Sequence, residues 1–287
     1  MIWTEGKIIP PEDLHIDVRD ETFQHGLGLF ETFRTWKGAP TLLPRHLERL
    51  QRSARDLGLN LRFEQLPHDD EVHELIAKNQ SVVPDLEGDV RIRITLSGGR
   101  WTQGPPLKRS TLWMTVGPLG APAAHEAAVI LGSIQVAPDD PLARYKTLNY
   151  WRKRLAWTRA VEEGADEVLC VTPEGLLCEG TRSNVFLVRD GRLFTPGTDG
   201  PLLPGIMRRV VLDHAGRLGL AAFEGRVPID SLAGADEAFL TNSVAGMLPV
   251  CRLLGRDLPA PGPVTQRLWS SILPWLESGG TSPSSTP

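Results

Sequence analysis

The stretch VRIRITL, from Val90 to Leu96, is the clearest strand pattern in the chain. Apolar residues alternate with Arg91, Arg93 and Thr95, which is the period of an extended strand whose two faces differ in surroundings. We therefore expect a strand that carries its arginines side by side on one face. The stretch FETFRTW, from Phe30 to Trp36, predicts a second strand upstream.

Helix patterns separate and follow these strands. From Pro44, apolar residues recur every three or four positions until Gly58, which is placed to end the helix. A polar helix is expected near residues 69–80, and residues 110–116 continue the strand pattern. The first third of the chain thus combines a sheet with helices.

The stretch GPLGAPAA, from Gly117 to Ala124, resembles a linker between two lobes. We predict a small N-terminal domain over residues 1–118, a linker over 119–124, a large domain over 125–277 and a disordered tail over 278–287. Strand patterns in the large domain alternate with helix patterns at residues 149–163, 205–218 and 265–276. The predicted fold class is α+β, in two lobes.

Composition excludes several classes of protein. The chain has 31 basic residues, of which 25 are arginine, against 35 acidic residues, and its net charge is −4. This balance argues against a dedicated nucleic-acid binder. The three cysteines and seven histidines have no spacing typical of a metal site or a disulfide framework. Since no signal peptide or membrane segment is visible, a cytoplasmic location is expected.

The six lysines are few enough to be considered one by one as nucleophiles. Lys146 lies in RYKTLNY, between aromatic and aliphatic residues, and is the candidate for Schiff-base chemistry. A surface lysine is the simpler explanation of the same pattern. The other five are expected to be solvated: Lys7, Lys37, Lys78, Lys108 and Lys153.

Three further stretches suggest polar sites. Glu179, in CEGTRSNVF, could be a buried acid held by backbone donors, or a polar cap before a strand. Arg49 lies beside the apolar stripe of its helix, where it could bind a phosphate or extend along the surface to solvent. Gly205 begins a helix, and helix starts favour anions, although many helices begin in this way.

These fragments occur together in an order that resembles the class IV aminotransferases, the pyridoxal-phosphate enzymes of fold type IV. That family includes branched-chain and D-amino acid transaminases and 4-amino-4-deoxychorismate lyase. The resemblance covers nearly everything from Ile9 to Arg252, and it implies a large domain with a barrel-like β core. The matching stretches are HGLGLFETFR (25–34), HLERLQRSARDLGL (46–59), YKTLNY (145–150), EGTRSNVF (179–186), LPGIMRR (203–209) and TNSVAGMLPV (241–250).

The resemblance implies roles for individual residues. Lys146 matches the catalytic lysine that forms a Schiff base with pyridoxal 5'-phosphate, and Glu179 matches the carboxylate that faces the pyridine nitrogen. Arg49 matches the arginine that binds the phosphate. The remaining residues expected at the cofactor are Ile206 and Met207 at the helix start, and Asn242 and Ser243. The family usually carries Thr where Met207 stands, so a hydroxyl contact to the phosphate is missing here.

Two reactions remain open. A transaminase moves the amino group of an amino acid, here of D-amino acid or branched-chain type, to a 2-oxo acid. The lyase instead releases pyruvate and 4-aminobenzoate from aminodeoxychorismate. Thr32, Met207 and the Asn242-Ser243 pair look lyase-like, although many transaminases share the F-E-T of the first. Transamination is favoured narrowly, because transaminases are the commoner members and the arginines suit an α-carboxylate.

Substrate contacts are expected from the first lobe and from one residue of the second. The loop SGGRW with Arg100 resembles the carboxylate-binding segment of D-amino acid transaminases, but Thr102 stands where a histidine is expected. The substrate candidates are Phe30, Thr32, Arg34, Arg91, Arg93, Arg100 and Thr241. The resemblance further implies a homodimer with its active site at the subunit interface, where Phe30 and residues 91–100 act in trans.

Overall fold

A computed structural model describes residues 1–84, 86–100, 110–119 and 126–280. Most of the expected linker, the tail beyond residue 280, Lys108 and Thr102 lie outside the described residues. The chain forms two compact units. The first comprises Met1–Gly120, Tyr145–Asn149 and the end of the chain from Trp275; the second comprises Ala121–Arg144 and Tyr150–Pro274. The short segment around Lys146, which the linear division assigned to the large domain, therefore clusters with the first unit.

The first unit is built on a six-stranded sheet. Its strands are β1 (Ile2–Thr4), β2 (Lys7–Ile9), β3 (Gly28–Trp36), β4 (Ala39–Pro40), β5 (Val90–Ser97) and β6 (Leu112–Pro118). They lie in the order β2-β1-β6-β5-β3-β4, and all neighbouring pairs are antiparallel. Three helices complete this unit: α1 (Glu21–His25), α2 (Leu43–Asp56) and α3 (Asp69–Val82).

The alternation of β5 sorts its side chains as predicted. Ile92 and Ile94 are fully buried, whereas Arg91 is exposed and Arg93 is half-buried on the other face. Phe33 of β3 is also fully buried and contributes to the same core. Burial of these apolar faces, at about 25 cal/mol per Å² of apolar surface, stabilises the sheet against the helices.

The second unit contains a nine-stranded sheet. Its strands are β7 (Ala127–Gln135), β8 (Glu167–Val171), β9 (Leu177–Gly180), β10 (Asn184–Arg189), β11 (Arg192–Pro196), β12 (Ala222–Gly225), β13 (Glu237–Asn242), β14 (Gly246–Leu253) and β15 (Arg256–Asp257). The main order is β12-β11-β10-β13-β14-β7-β8-β9, and β15 pairs with β14. The remaining helices are α4 (Trp151–Glu162), α5 (Ile206–Arg217) and α6 (Pro263–Glu277).

The α+β prediction is confirmed, with differences in short elements. The sequence patterns did not predict β1, β2, α1, β4, β9, β12 or β15, since each spans five residues or fewer and is too short to show a period. Residues 177–180, around Glu179, form a buried strand, which excludes the alternative of a polar cap before a strand. In the part of the chain that the structure describes, no helix is long and apolar enough to cross a membrane.

Candidate functional site

The backbone of Lys146 is fixed against β3 of the first unit. The amide of Phe30 donates to the carbonyl of Lys146 at 3.0 Å, and the amide of Leu148 donates to the carbonyl of Gly28 at 3.0 Å. Gly28 has φ +150°, and a Cβ there would lie 2.7 Å from the carbonyl oxygen of Leu96. Glycine is therefore required for this close approach.

The side chain of Lys146 lies against an aromatic ring that it shares with an arginine. Its Nζ is 4.5 Å from the centroid of Phe30, and the Cζ of Arg93 is 3.9 Å from the same centroid. The face of an aromatic ring attracts cations. The ring of Phe30 thus contacts both an amine and a guanidinium, which is a suitable arrangement for a substrate that carries a carboxylate.

Arg49 is held inside the first unit by a buried carboxylate. Its Nε donates to Glu31 Oε1 at 2.8 Å and its Nη2 donates to Glu31 Oε2 at 2.7 Å, while His46 Nδ1 lies 2.7 Å from Oε2. Burial opposes the charge of Glu31, but Arg49 and His46 outweigh it and lower the pKa of Glu31 to about 2. An ionised carboxylate only accepts, so His46 Nδ1 must carry the hydrogen.

His46 is fully buried. Burial, reinforced by the charges of Arg49 and Lys146, outweighs the attraction of Glu31 and lowers the pKa of His46. Its second nitrogen, Nε2, has no hydrogen-bond partner among the described residues. Glu31 and His46 were not among the predicted site residues. The period of β3 contains the signal for Glu31, because it places that acid on the same face as Phe33.

The predicted substrate residues of β3 and β5 share one face of the sheet. The register pairs Phe30 with Thr95, Thr32 with Arg93 and Arg34 with Arg91. Beside them lies a cleft of about 300 Å³. It is lined by Ile16, Thr22, Phe23, Arg93, Thr95, Ser97, Trp113 and Leu148. Arg93 is therefore the predicted arginine that borders a cavity.

The other three candidate arginines have different surroundings. Arg34 forms an ion pair with Asp89 at 3.1 Å and lies over the ring of Trp36. Arg100 lies 3.7 Å from the carboxylate of Asp17, which also pairs with a second arginine, and Arg91 is exposed. None of the three lines the 300 Å³ cleft.

In the second unit, Glu179 lies on the buried strand β9 with both carboxylate oxygens engaged. Oε1 accepts from Lys153 Nζ at 2.6 Å, and Oε2 accepts from the amide of Leu203 at 3.1 Å. Burial disfavours the ammonium of Lys153, but the charge of Glu179 outweighs it and raises the pKa of Lys153. Of the two interpretations left open for Glu179, the structure shows the buried acid and not the polar cap before a strand. One of its two donors is a side chain and not a backbone amide.

The prediction that Lys153 is solvated is wrong. Its side chain is only 29 % exposed, because it lies on the inward stripe of α4 with Ala156 and Ala160. Ala156 and Ala160 follow Lys153 by three and seven positions, the spacing of residues on one face of a helix, and this spacing indicates that Lys153 points inward. It was obscured by the neighbouring Arg152 and Arg154, which make the helix look polar on all sides.

The start of α5 is shaped by Gly205. A Cβ on Gly205 would collide with the side-chain oxygen of Asn184, whose amide donates to the carbonyl of Leu203 at 2.9 Å. Ile206 and Met207 follow as the first two helical residues, and both side chains are buried. The first amides of a helix have no partner within it, so they can donate to an anion.

Thr241 to Ser243 form the end of β13 and the turn after it. The Thr241 hydroxyl is buried and has no hydrogen-bond partner within the described parts of the chain. The side-chain oxygen of Asn242 accepts from the amides of Val244 and Ala245 at 2.9 and 2.7 Å. This oxygen therefore holds the turn, and Ser243 is half-buried beside it.

These groups suit the parts of pyridoxal phosphate. In the first unit, the guanidinium of Arg49 is a typical phosphate ligand. In the second unit, the helix-start amides of Ile206 and Met207 and the hydroxyl of Thr241, which has no partner among the described residues, are also typical phosphate ligands. A carboxylate such as Glu179 suits a protonated ring nitrogen, and the amine of Lys146 suits an aldehyde. The residues present fit the cofactor.

Comparisons with known proteins agree with this fit to pyridoxal phosphate. The model of the family "Amino-transferase class IV" matches residues 28–253. An aminodeoxychorismate lyase of Bacillus subtilis is 30% identical over 259 residues, which cover 88% of this chain and 86% of that protein. A D-alanine aminotransferase of Bacillus licheniformis is 27% identical, over 93% of this chain and 94% of that protein. A branched-chain aminotransferase of T.th., solved with pyridoxamine 5'-phosphate, superposes with a TM-score of 0.81 and 28% identity, over 98% of this chain and 95% of that one.

Proposed function

The chain belongs to the class IV aminotransferase family, and on this premise we propose that it is a transaminase of D-amino acid or branched-chain type. As an enzyme of this family, with the fold of type IV, it uses pyridoxal 5'-phosphate. When bound, the cofactor withdraws electrons from the substrate and so makes the proton on Cα easier to remove. Small amino acids are the substrates that fit.

The proposal gives each residue a defined task. Lys146 would hold the cofactor through its amine, and the amine that the incoming amino substrate displaces would then move the proton away from the substrate Cα. Arg49 and the first amides of α5, at Ile206 and Met207, bind the phosphate. Glu179 faces the ring nitrogen. From the end of β13 and the turn after it, Asn242 and Ser243 contact the cofactor and Thr241 contacts the substrate.

The arrangement of Arg93, Phe30 and Lys146 is the observation that carries the proposal. The guanidinium lies 3.9 Å and the amine 4.5 Å from the centroid of one ring. A carboxylate bound to Arg93 and the amine that acts on Cα would therefore both border the ring of Phe30, which suits a small α-amino acid.

Two measurements test the proposal. The purified protein should show an absorbance band in the near-ultraviolet to visible range, and Lys146→Ala should abolish it. A panel of D- and L-amino acids with 2-oxoglutarate or pyruvate should then yield a new amino acid and a new oxo acid. A coloured protein that transfers no amino group to any acceptor would contradict transamination.

Elimination by an aminodeoxychorismate lyase is the second candidate. It is supported by the 30% identical lyase relative and by Met207 with Asn242-Ser243, which resemble the lyase pattern. Incubation with aminodeoxychorismate distinguishes the two reactions. Pyruvate and 4-aminobenzoate appearing without an oxo-acid acceptor would favour the lyase over the transaminase.

The proposal includes the assembly and location expected for the family. We propose a cytoplasmic homodimer with its active site at the subunit interface. Because Phe30 lies against Lys146 and Arg93 of its own chain, these residues act in cis in this proposal and not in trans. Light scattering of the purified protein measures the mass, for which a dimer of the 31.6 kDa chain is expected. A monomer that turns over substrate would contradict this part of the proposal.

A further inference from the structure

A lysine outside the proposed catalytic set is tied to the acid that the proposal places at the ring nitrogen. Lys153 Nζ lies 2.6 Å from Glu179 Oε1. The two residues are 26 positions apart and belong to different elements, α4 and β9. The contact is therefore formed by the fold, unlike the exposed pair that Lys78 forms with Glu74 within one helix.

The ammonium changes what Glu179 can do. The carboxylate side chain is only 7 % exposed, so its charge is poorly stabilised by water. Lys153 supplies the opposite charge, and the Leu203 amide supplies one neutral donor at 3.1 Å. Without Lys153, Oε1 of this buried carboxylate loses its charged donor, and the Leu203 amide alone would hold the carboxylate in place.

Lys153 also fixes where the carboxylate points. One oxygen is bound by the ammonium and the other by Leu203, whose carbonyl is in turn held by Asn184. An ionised carboxylate has about four acceptor sites, so two donors leave capacity for a third. The pair is bordered by Tyr150, whose ring centroid is 5.7 Å from Nζ and whose hydroxyl donates to the carbonyl of Thr181.

We propose that Lys153 is a positioning residue for the cofactor: it holds the Glu179 carboxylate in the orientation in which it can bind the protonated ring nitrogen. This inference rests on the role proposed above for Glu179. Lys153 itself does not touch the reacting atoms. A change at Lys153 should therefore alter cofactor affinity only when Glu179 is present and the ligand has a ring nitrogen.

Binding of pyridoxamine 5'-phosphate to the cofactor-free full chain tests this directly, because this ligand forms no covalent bond with Lys146. The comparison ligand is the analogue whose ring nitrogen is replaced by CH. Lys153→Met should weaken pyridoxamine phosphate about tenfold and leave the analogue nearly unchanged. Lys153→Arg should restore most of the lost affinity. The matched control is Lys78→Met, which removes an exposed ion pair and should change neither affinity.

A second pair of variants decides the question even if Lys153→Met fails to fold. Glu179→Gln removes the acid, and Lys153→Met with Glu179→Gln removes both charges. If Lys153 acts through Glu179, the double variant binds both ligands as Glu179→Gln does. Equal weakening of both ligands by Lys153→Met, no change in either, or a further loss in the double variant would overturn the proposal.

The outcomes separate this inference from the proposed function. A wild-type chain that binds the two ligands equally would contradict the role of Glu179, and that of Lys153 with it. A wild-type chain that discriminates, with a Lys153→Met variant that discriminates equally well, would overturn only the role of Lys153. Transamination itself is decided by its products.

Discussion

Arg49 donates two parallel hydrogen bonds to Glu31, at 2.8 and 2.7 Å, and neither side chain is more than 8 % exposed. Two bonds fix the plane of the guanidinium before any ligand binds. The other donors of Arg49 are thereby given one direction. Glu31 thus holds Arg49, the residue proposed to bind the phosphate, although Glu31 itself would not touch the phosphate.

Glu31→Gln should destabilise the protein. The substitution removes the carboxylate charge that pairs with the buried guanidinium of Arg49, which costs about 3–5 kcal/mol in free energy of unfolding. Urea unfolding measures this cost. The control is Glu48→Gln on the exposed side of the same helix, for which a change below about 0.5 kcal/mol is expected. Equal effects of the two substitutions would contradict the role given to Glu31.

The same ion pair predicts a loss of stability in acid. The pKa of Glu31 is about 2 in the folded chain, against an ordinary value of 4.5 that applies to the unfolded chain. The ionised carboxylate therefore stabilises the folded chain fully above pH 4.5, and this contribution disappears as the pH falls toward 2. The shift corresponds to roughly 3 kcal/mol. Unfolding measured between pH 5 and pH 3 should show this decline in the wild type. In Glu31→Gln the decline should be smaller.

His46 predicts a pH dependence at a higher pH. Burial lowers its pKa in the folded chain from 6.5, so the unfolded chain takes up a proton that the folded chain excludes. Stability should therefore fall as the pH drops below 6.5, by at most about 1.4 kcal/mol per pH unit. His46→Asn preserves a donor near Nδ1 and should remove this slope. His15→Asn, at an exposed position, should leave it unchanged.

Met207→Thr should strengthen cofactor binding. A hydroxyl at the second position of α5 would add a hydrogen bond to a charged phosphate, worth about 1.5–3 kcal/mol, or roughly tenfold or more in affinity for pyridoxamine 5'-phosphate. Met207→Val is the matched control, because valine has the branched shape of threonine without the hydroxyl. Tighter binding by both variants would show that side-chain volume at this buried position matters, and not the missing hydroxyl.

The sequence predicted the proposed chemistry better than the contacts that support it. Arg49 and Lys146 could be selected because each stood out locally, one beside an apolar stripe and one in an apolar surrounding. Glu31 and Lys153 also lie on the inward faces of their elements. A charged side chain is stable there only with a partner, and the sequence pattern does not identify that partner. The partners are 18 and 26 positions away. Sequence periodicity gives the face of a residue and does not reveal which element packs against that face.

Arg93→Met should weaken the binding of substrate and not that of the cofactor. Among the four candidate arginines, Arg93 lies on the ring of Phe30 and lines the 300 Å³ cleft. Loss of a charge-assisted contact to a carboxylate costs about 1.5–3 kcal/mol, so KM for the amino substrate should rise roughly 10- to 100-fold. The affinity for pyridoxamine 5'-phosphate should be unchanged.

Arg91→Met is the matched control for Arg93→Met. Arg91 is on the same face of β5, two positions away, but it is exposed and does not line the cleft. Its removal should change KM less than about twofold. If Arg91→Met or Arg100→Met raised KM and Arg93→Met did not, the carboxylate would bind elsewhere on this unit. The Phe30 ring would then have no role in bringing carboxylate and amine together, and the case for a small α-amino acid would lose its main support.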